Sequence, residues 1–146
     1  MAVSRERYEY LPRREAHGEG SGQIARGMIP PAVKVPTKAG TFIYSSMMSG
    51  HDDQDPNHAL PETVEKEAEI LFRHIRQIVE TAGGKPSNIL NLTLFVMDDK
   101  YRANLETELQ KMFPDGKRPA YHVLNVAPKG LRVERVQAVT TACVPA

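Results

Sequence analysis

The stretch from Thr63 to Met97 constrains this chain most, because a long helical pattern there runs through a glycine stop directly into a strand pattern. Apolar residues recur at Val64, Ala68, Leu71, Ile75, Ile78 and Ala82. This spacing lines one face of an α-helix, and Phe72 and Val79 widen the stripe. Glu62 and Glu65 suit the positive end of the helix dipole, Pro61 suits a first-turn position, and Gly83-Gly84 supply the backbone freedom that ends helices. Lys85-Pro86-Ser87 then forbids continuation. From Ile89 to Met97 the period changes to two, so that Leu90, Leu92, Leu94 and Val96 share one side and Asn91, Thr93, Phe95 and Met97 the other. The first side is expected to lie under the helix. The second sets polar side chains between large apolar ones, which suits neither open water nor a sealed monomer core, and a partner subunit is its natural cover.

The rest of the chain reads around this unit. A length of 146 residues with 40% hydrophobic content is enough for one globular domain that needs no disulfides. Residues 1–28 are charged and then glycine-rich and read as an N-terminal arm, with the domain proper spanning 29–146. Pro30, Pro31 and Pro36 hold an extended lead-in, and Thr41–Ser45 forms a short strand after the turn signal Lys38-Ala39-Gly40. The polar loop His51–His58 carries Asp53, Asp55 and Asn57 at alternate positions, as a calcium loop does. It has His58 where the sharp-turn glycine belongs and Val64 where the bidentate acid belongs, so a solvated turn feeding the helix explains it with fewer assumptions, and no metal is expected. Asp98 and Asp99 suit the N-terminus of a second helix with Tyr101, Leu105, Leu109, Met112 and Phe113 on one face, ended by Pro114-Asp115-Gly116. Tyr121–Val126 and Leu131–Ala142 read as two strands of a C-terminal hairpin joined by Ala127-Pro128-Lys129-Gly130. The order strand, helix, strand, helix, strand, strand describes an α+β fold in which two helices cover one face of a single mixed sheet.

Charge and cysteine usage narrow the function classes. Nineteen basic against eighteen acidic residues leave a net charge of +1, well short of a dedicated nucleic-acid binder. The single Cys143 has no partner for a disulfide, no stretch approaches the roughly 20 apolar residues of a membrane span, and Met-Ala-Val-Ser-Arg-Glu-Arg is no signal core. The expectation is a soluble cytoplasmic protein with no membrane partner.

Five stretches together carry a family resemblance: Thr41–Ser45, the helix end Ile78–Gly84, Asn91–Asp99, Pro119-Ala120, and Ala127–Glu134. In order, over roughly residues 30 to 142, they resemble the Rid (YjgF) family of reactive-intermediate deaminases. The resemblance implies a fold like the bacillus type of chorismate mutase and a homotrimer whose sheets pack into a central barrel. It also implies hydrolysis of an enamine or imine to a carbonyl compound and ammonia in clefts between subunits, without a cofactor. In the family an arginine after the Pro-Ala pair clamps the substrate carboxylate. Here Pro119-Ala120 is followed by Tyr121-His122, so that arginine is absent. Ser45-Ser46 stands where Ser-Gly is usual, and Glu106 where an asparagine is usual, while the family glutamate is retained as Glu134.

Imine hydrolysis requires a positioned water, a group to accept its proton, and donors for the substrate's polar atoms. Glu134 fits the water's partner, against the plainer reading of a partly solvated strand glutamate between Arg132 and Arg135. Tyr121 and His122 sit at the clamp position. Neighbouring strand residues point to opposite faces, and the alignment favours Tyr121 for the cleft, with His122 packing. Arg118 could return the missing charge by a shift in register, against a solvated arginine after Gly116-Lys117. Ser45 and Ser46 could donate to a substrate oxygen or satisfy backbone groups instead. Glu106 reads most simply as solvated, and His74, between Arg73 and Arg76, as a surface residue. The leading expectation is a Rid-type hydrolase of altered specificity. The alternative is a non-catalytic trimer binding a small molecule or a protein in the same cleft. A third reading, ribonuclease, has been attached to relatives, and the near-zero net charge opposes it.

Overall fold

The computed structural model describes residues 32–126 and 133–146 and the backbone of residues 9–10. The strands are β1 (Glu9–Tyr10), β2 (Ala32–Thr37), β3 (Gly40–Ser45), β4 (Met48–Ser49), β5 (Ile89–Val96), β6 (Ala120–Asn125) and β7 (Val136–Pro145), and the helices are α1 (Val64–Thr81) and α2 (Arg102–Met112). They form a single mixed sheet in the order β1-β2-β3-β7-β5-β6, with β4 also on β7. Among the described residues, only β5 and β6 pair in parallel. Because β3 and β5 both run antiparallel to β7, they too point the same way, so β3-α1-β5 and β5-α2-β6 are successive crossovers in one direction. Crossovers of one hand taken in one direction deliver both helices to the same face. The helices and that face share one core, in which Leu71, Ile75 and Val79 of α1 and Leu105 and Leu109 of α2 pack on Ile43, Leu92, Leu94 and Val136.

Local chemistry sets the element ends. Thr63 caps α1 by accepting from the Lys66 amide (3.3 Å), so Pro61 and Glu62 lie before the cap rather than in the first turn, where the acids are Glu65 and Glu67. Gly83, at φ 86°, turns the chain out of α1 through a conformation that side chains disfavour. Asp98 accepts from the Lys100 amide (3.0 Å) at the tight turn that opens α2, as its residue type suggests.

Four expectations need correction. The lead-in is a full strand, β2, which pairs with β3 along its length. Pro36 lies within β2 and pairs with Thr41 of β3, and among the described residues β1 pairs with Val33 and Lys34. The C-terminal strands do not form a hairpin. The first crossover leaves a slot between β3 and β5, and β7 fills it, gaining two ladders where a hairpin with the edge strand β6 would give one. β7 also starts at Val136, which leaves Glu134 in the segment before it rather than on the strand. The residues of the expected turn, Ala127 to Gly130, lie outside the described residues, as does Arg132. Finally, Leu90 is not under α1: a register shift between Ile89 and Asn91 turns Ile89 inward, and Leu90 is 48% exposed.

The other sheet face carries Phe42, Tyr44, Thr93, Phe95, His122 and Leu124, with Tyr44 and Leu124 exposed. Of the expected arm, Glu9–Tyr10 pairs by its backbone with β2, and the rest of it lies outside the described residues.

Candidate functional site

The residues singled out in the sequence gather at two places, one at each end of β5. At the Met97 end, Gly50 lies so close to α1 that a Cβ there would stand 2.2 Å from the Glu67 carbonyl oxygen. This contact brings the loop after β4 against the first turns of α1. The fully buried Glu67 carboxylate accepts hydrogen bonds from the Arg135 amide (2.7 Å), the Arg135 Nε (2.5 Å) and the Val136 amide (3.3 Å). Arg135 donates further to the Glu62 carbonyl (2.8 Å) and to the Pro61 carbonyl. A buried charge held this way fixes the segment before β7, and Glu134 with it.

The Glu134 carboxylate meets His51, with Nε2 3.2 Å from Oε1. Burial works against its ionisation, but hydrogen bonds from its own amide, from His51 and from the Val133 amide prevail and hold it below the usual carboxylate range. His51 Nδ1 in turn lies 2.9 Å from the His58 carbonyl oxygen. The loop between these two histidines is turned by Asp52 and Asp55, whose carboxylates accept from the amides of Gln54 (3.0 Å) and Asn57 (2.7 Å). It is also tied to α1 by Arg73, which donates to Asp53 (2.5 Å) and Asp52 (3.2 Å). His74 is not on the surface: Nδ1 lies 2.9 Å from the Ser49 carbonyl and Nε2 3.3 Å from Asp53. Among the described residues, no group of three or more His, Cys, Asp or Glu could hold a metal.

At the Leu92 end, β6 forms the sheet edge, and its register sets Tyr121 beside Leu92 and His122 beside Thr93. Tyr121 therefore lies on the helix side, under α2, while His122 points to the open face. Arg118 is no solvated arginine. It donates to the Glu106 carboxylate, to the Tyr121 hydroxyl (3.3 Å) and to Gln110 (3.3 Å), and its guanidinium stands 5.9 Å from the Tyr121 ring centre. Glu106, expected to be merely solvated, is the counter-charge of that guanidinium. An open groove of about 480 Å³ runs between α2 and β6, lined by Arg102, Leu105, Glu106, Leu109, Tyr121 and Val123. Its size suits a small molecule.

The serines stand apart from both clusters. Between the pairs Tyr44↔Thr141 and Met48↔Ala138 the chain carries one extra residue, and at this bulge the Ser45 hydroxyl accepts from the Thr140 amide (2.8 Å). Ser45 thus does backbone work. Ser46 follows it in the bulge, half-buried.

Tyr121 and Glu134 cannot meet within one chain. The strand distance from Leu92 to Met97, whose amide bonds the Arg135 carbonyl, is about 17 Å at 3.3 Å per residue. Reading residue by residue missed His51, because its loop was weighed for metal rather than for a carboxylate 83 residues on. It missed Glu67 as well, an acid inside an apolar stripe. That out-of-place charge was the available signal.

The model of the family described as Endoribonuclease L-PSP matches residues 31–140. Solved structures of similar fold include a probable translation initiation inhibitor from Rhodopseudomonas palustris (22% identity, 95% of this chain and 99% of that one, TM-score 0.76). RidA from the Antarctic bacterium Psychrobacter is similar too (21%, 92% and 99%, TM-score 0.72). E. coli TdcF with bound serine is a third (16%, 90% and 96%, TM-score 0.69). At these identities the likeness speaks for the fold. No curated protein sequence matches the chain.

Proposed function

This chain belongs to the Rid (YjgF) family, and from that premise we propose that it hydrolyses a small imine or enamine in a cleft between two subunits of a homotrimer. The observation that carries the reading is the Glu134 carboxylate, held ionised and partly exposed at the matched position of the family glutamate. Because Tyr121 and Glu134 sit about 17 Å or more apart along one sheet, a site using both takes them from neighbouring subunits. The open sheet face with its exposed Tyr44 and Leu124 is the surface such a trimer would cover.

In the proposed reaction, water attacks the imine carbon, Glu134 takes a proton from that water, and the C=N electron pair moves to nitrogen. The resulting carbinolamine collapses once its nitrogen is protonated. The C–N bond breaks, ammonia leaves, and the hydroxyl gives up its proton as the carbonyl forms. The groove beside Tyr121 sets the specificity. There Arg118 returns a guanidinium next to the clamp position, but Glu106 already neutralises it, so a substrate carboxylate must compete with a charge in place. A neutral polar end, such as a carboxamide, can accept from Arg118 and the Tyr121 hydroxyl while donating to Glu106. The bound serine of TdcF supports a ligand of amino-acid size.

The test is ammonia release from freshly generated imines of neutral, acidic and carboxamide amino acids, with the Glu134→Gln variant alongside. Turnover that falls by about a hundredfold or more in the variant supports the reading. Tight binding without turnover in either protein favours a non-catalytic binding module on the same fold. Cleavage of a single-stranded RNA that Glu134→Gln leaves unchanged favours a nuclease.

A further inference from the structure

Glu134 has one side-chain partner among its described hydrogen bonds, and that partner is itself clamped. His51 places both ring nitrogens against oxygen acceptors, the His58 carbonyl at 2.9 Å and Glu134 Oε1 at 3.2 Å. With its N–H on Nε2, the ring donates to that carboxylate oxygen. We propose that His51 is the positioning residue of Glu134, holding its carboxylate in one orientation so that an acceptor site stays open to the attacking water. The proposal rests on the reading of Glu134 as the water's base.

A carboxylate offers about four acceptor directions. His51 takes one of them, at 3.2 Å, and that contact stops the carboxylate from turning about its last side-chain bond. His51 itself cannot swing away without giving up the His58 carbonyl, and that carbonyl is aimed by an unusual backbone: His58 sits at φ 49°, a conformation that costs a non-glycine residue energy and persists where surrounding contacts demand it. Those contacts are the Asp52 amide on the Ala59 carbonyl (3.0 Å) and the His58 amide on the Asp55 carbonyl (2.9 Å). The strained turn, the ring and the carboxylate form one line of support.

Among the described residues the other charged groups nearby are already committed. The Arg135 guanidinium goes to Glu67, Glu62 and Pro61, and Asp52 and Asp53 go to Arg73, with His74 also on Asp53. Among those residues His51 is thus the side chain that meets Glu134. Exposure also separates this pair from structural wiring: the side chains of His51 and Glu134 are 34% and 22% exposed, whereas Glu67, which reaches from α1 to the neighbouring Arg135, is completely buried. A pair built only for stability would sit with Glu67.

The experiment uses the full chain with His51→Ala, His51→Gln and Glu134→Gln. It measures kcat and KM on the best imine of the panel, the thermal midpoint, and the carboxyl titration of Glu134 by ¹³C NMR. The expected result for His51→Ala is a kcat lowered about tenfold or more with KM unchanged, and a Glu134 midpoint moved up towards the ordinary glutamate value. His51→Gln, whose amide can still donate, should recover most of the lost kcat. Its retention of fold covers the case in which the alanine variant does not fold. A Glu134 midpoint that stays put in His51→Ala overturns the proposal, whatever happens to the rate, and so does a His51→Gln variant that folds but keeps none of the kcat. Wild-type kcat in His51→Ala beside an inactive Glu134→Gln overturns it alone. Full activity in Glu134→Gln overturns the reading of Glu134 and this inference with it.

Discussion

At the Met97 end of β5, Glu134 is carried on a segment wired into the core through a carboxylate with no exposure at all, whereas at the Leu92 end Arg118, Glu106 and Tyr121 meet on an edge strand beside an open groove. The first end could not tolerate much change. Its buried Glu67 serves three donors from the segment it fixes, and its Gly50 leaves no room for a methyl group. The second end rests on half-exposed side chains whose pairing contributes little to stability, so it can be rewritten at low cost. In the function proposed above the difference separates two tasks: the rigid end keeps a carboxylate in place, and the adjustable end selects what is brought to it. Of the departures that the resemblance marks, Tyr121 and Glu106 fall at the adjustable end and Ser46 at neither, while the matched Glu134 falls at the rigid one.

Substitution at both ends tests this division. Glu67→Ala is expected to cost about 3–5 kcal/mol in denaturant unfolding, since it strands the buried side of Arg135 without its counter-charge. Arg118→Ala is expected to shift the unfolding midpoint far less, because its pairs are screened by solvent. Equal losses would break the comparison outright. A sharper version exchanges stability for specificity: Glu106→Gln frees the Arg118 guanidinium and is expected to tighten binding of carboxylate-bearing ligands by about 1.5–3 kcal/mol, ten- to a hundredfold, with unfolding nearly unchanged. Calorimetry with a stable amino-acid analogue reads this directly, and the gain should vanish in the double variant with Arg118→Ala. Next in size, Gly50→Ala is expected to cost about 1–3 kcal/mol, because the added Cβ must push α1 away at Glu67.

Much of the fold could be read from pattern, and the reasons for the misses are particular. The α1 stripe and the alternation of β5 give the helix-covered face because burial imposes those periods, and Asp98 and Gly83 mark ends because their side chains, or the lack of one, answer a local backbone need. Strand partners are not local. Tyr121–Val126 and Leu131–Ala142 look like a hairpin to anything that reads neighbours, yet β7 belongs between β3 and β5, where a slot exists only because a crossover skipped it. The site shows the same limit. Residue type and matched position singled out Glu134, Tyr121, Arg118 and Glu106, but the pairing of Arg118 with Glu106 spans 12 residues and that of His51 with Glu134 spans 83. Only the folded chain makes those contacts.

The smallest effect expected concerns the loop that links the two histidines to α1. Asp53 is drawn inward against Arg73 and His74. Burial opposes its ionisation, but the hydrogen bonds from those two side chains outweigh it, and its carboxyl titrates below the usual range. A folded value below the unfolded one, which is about 3.9, means that the contribution is fully present above pH ~4 and disappears as pH falls through the folded value. Asp53→Asn should therefore cost about 1 kcal/mol at neutral pH and progressively less below pH 4, so that the unfolding curves of parent and variant converge in acid. His51 and Glu134 lie at the same loop, so the variant should also loosen the His51 ring before it affects the groove at Tyr121. Exchange of the amides of residues 52–58 should speed up while those of β6 stay as they were. A variant that instead perturbs β6, or whose stability deficit persists unchanged in acid, would show that the loop does not answer to Asp53 and that the rigid end is held by Glu67 alone.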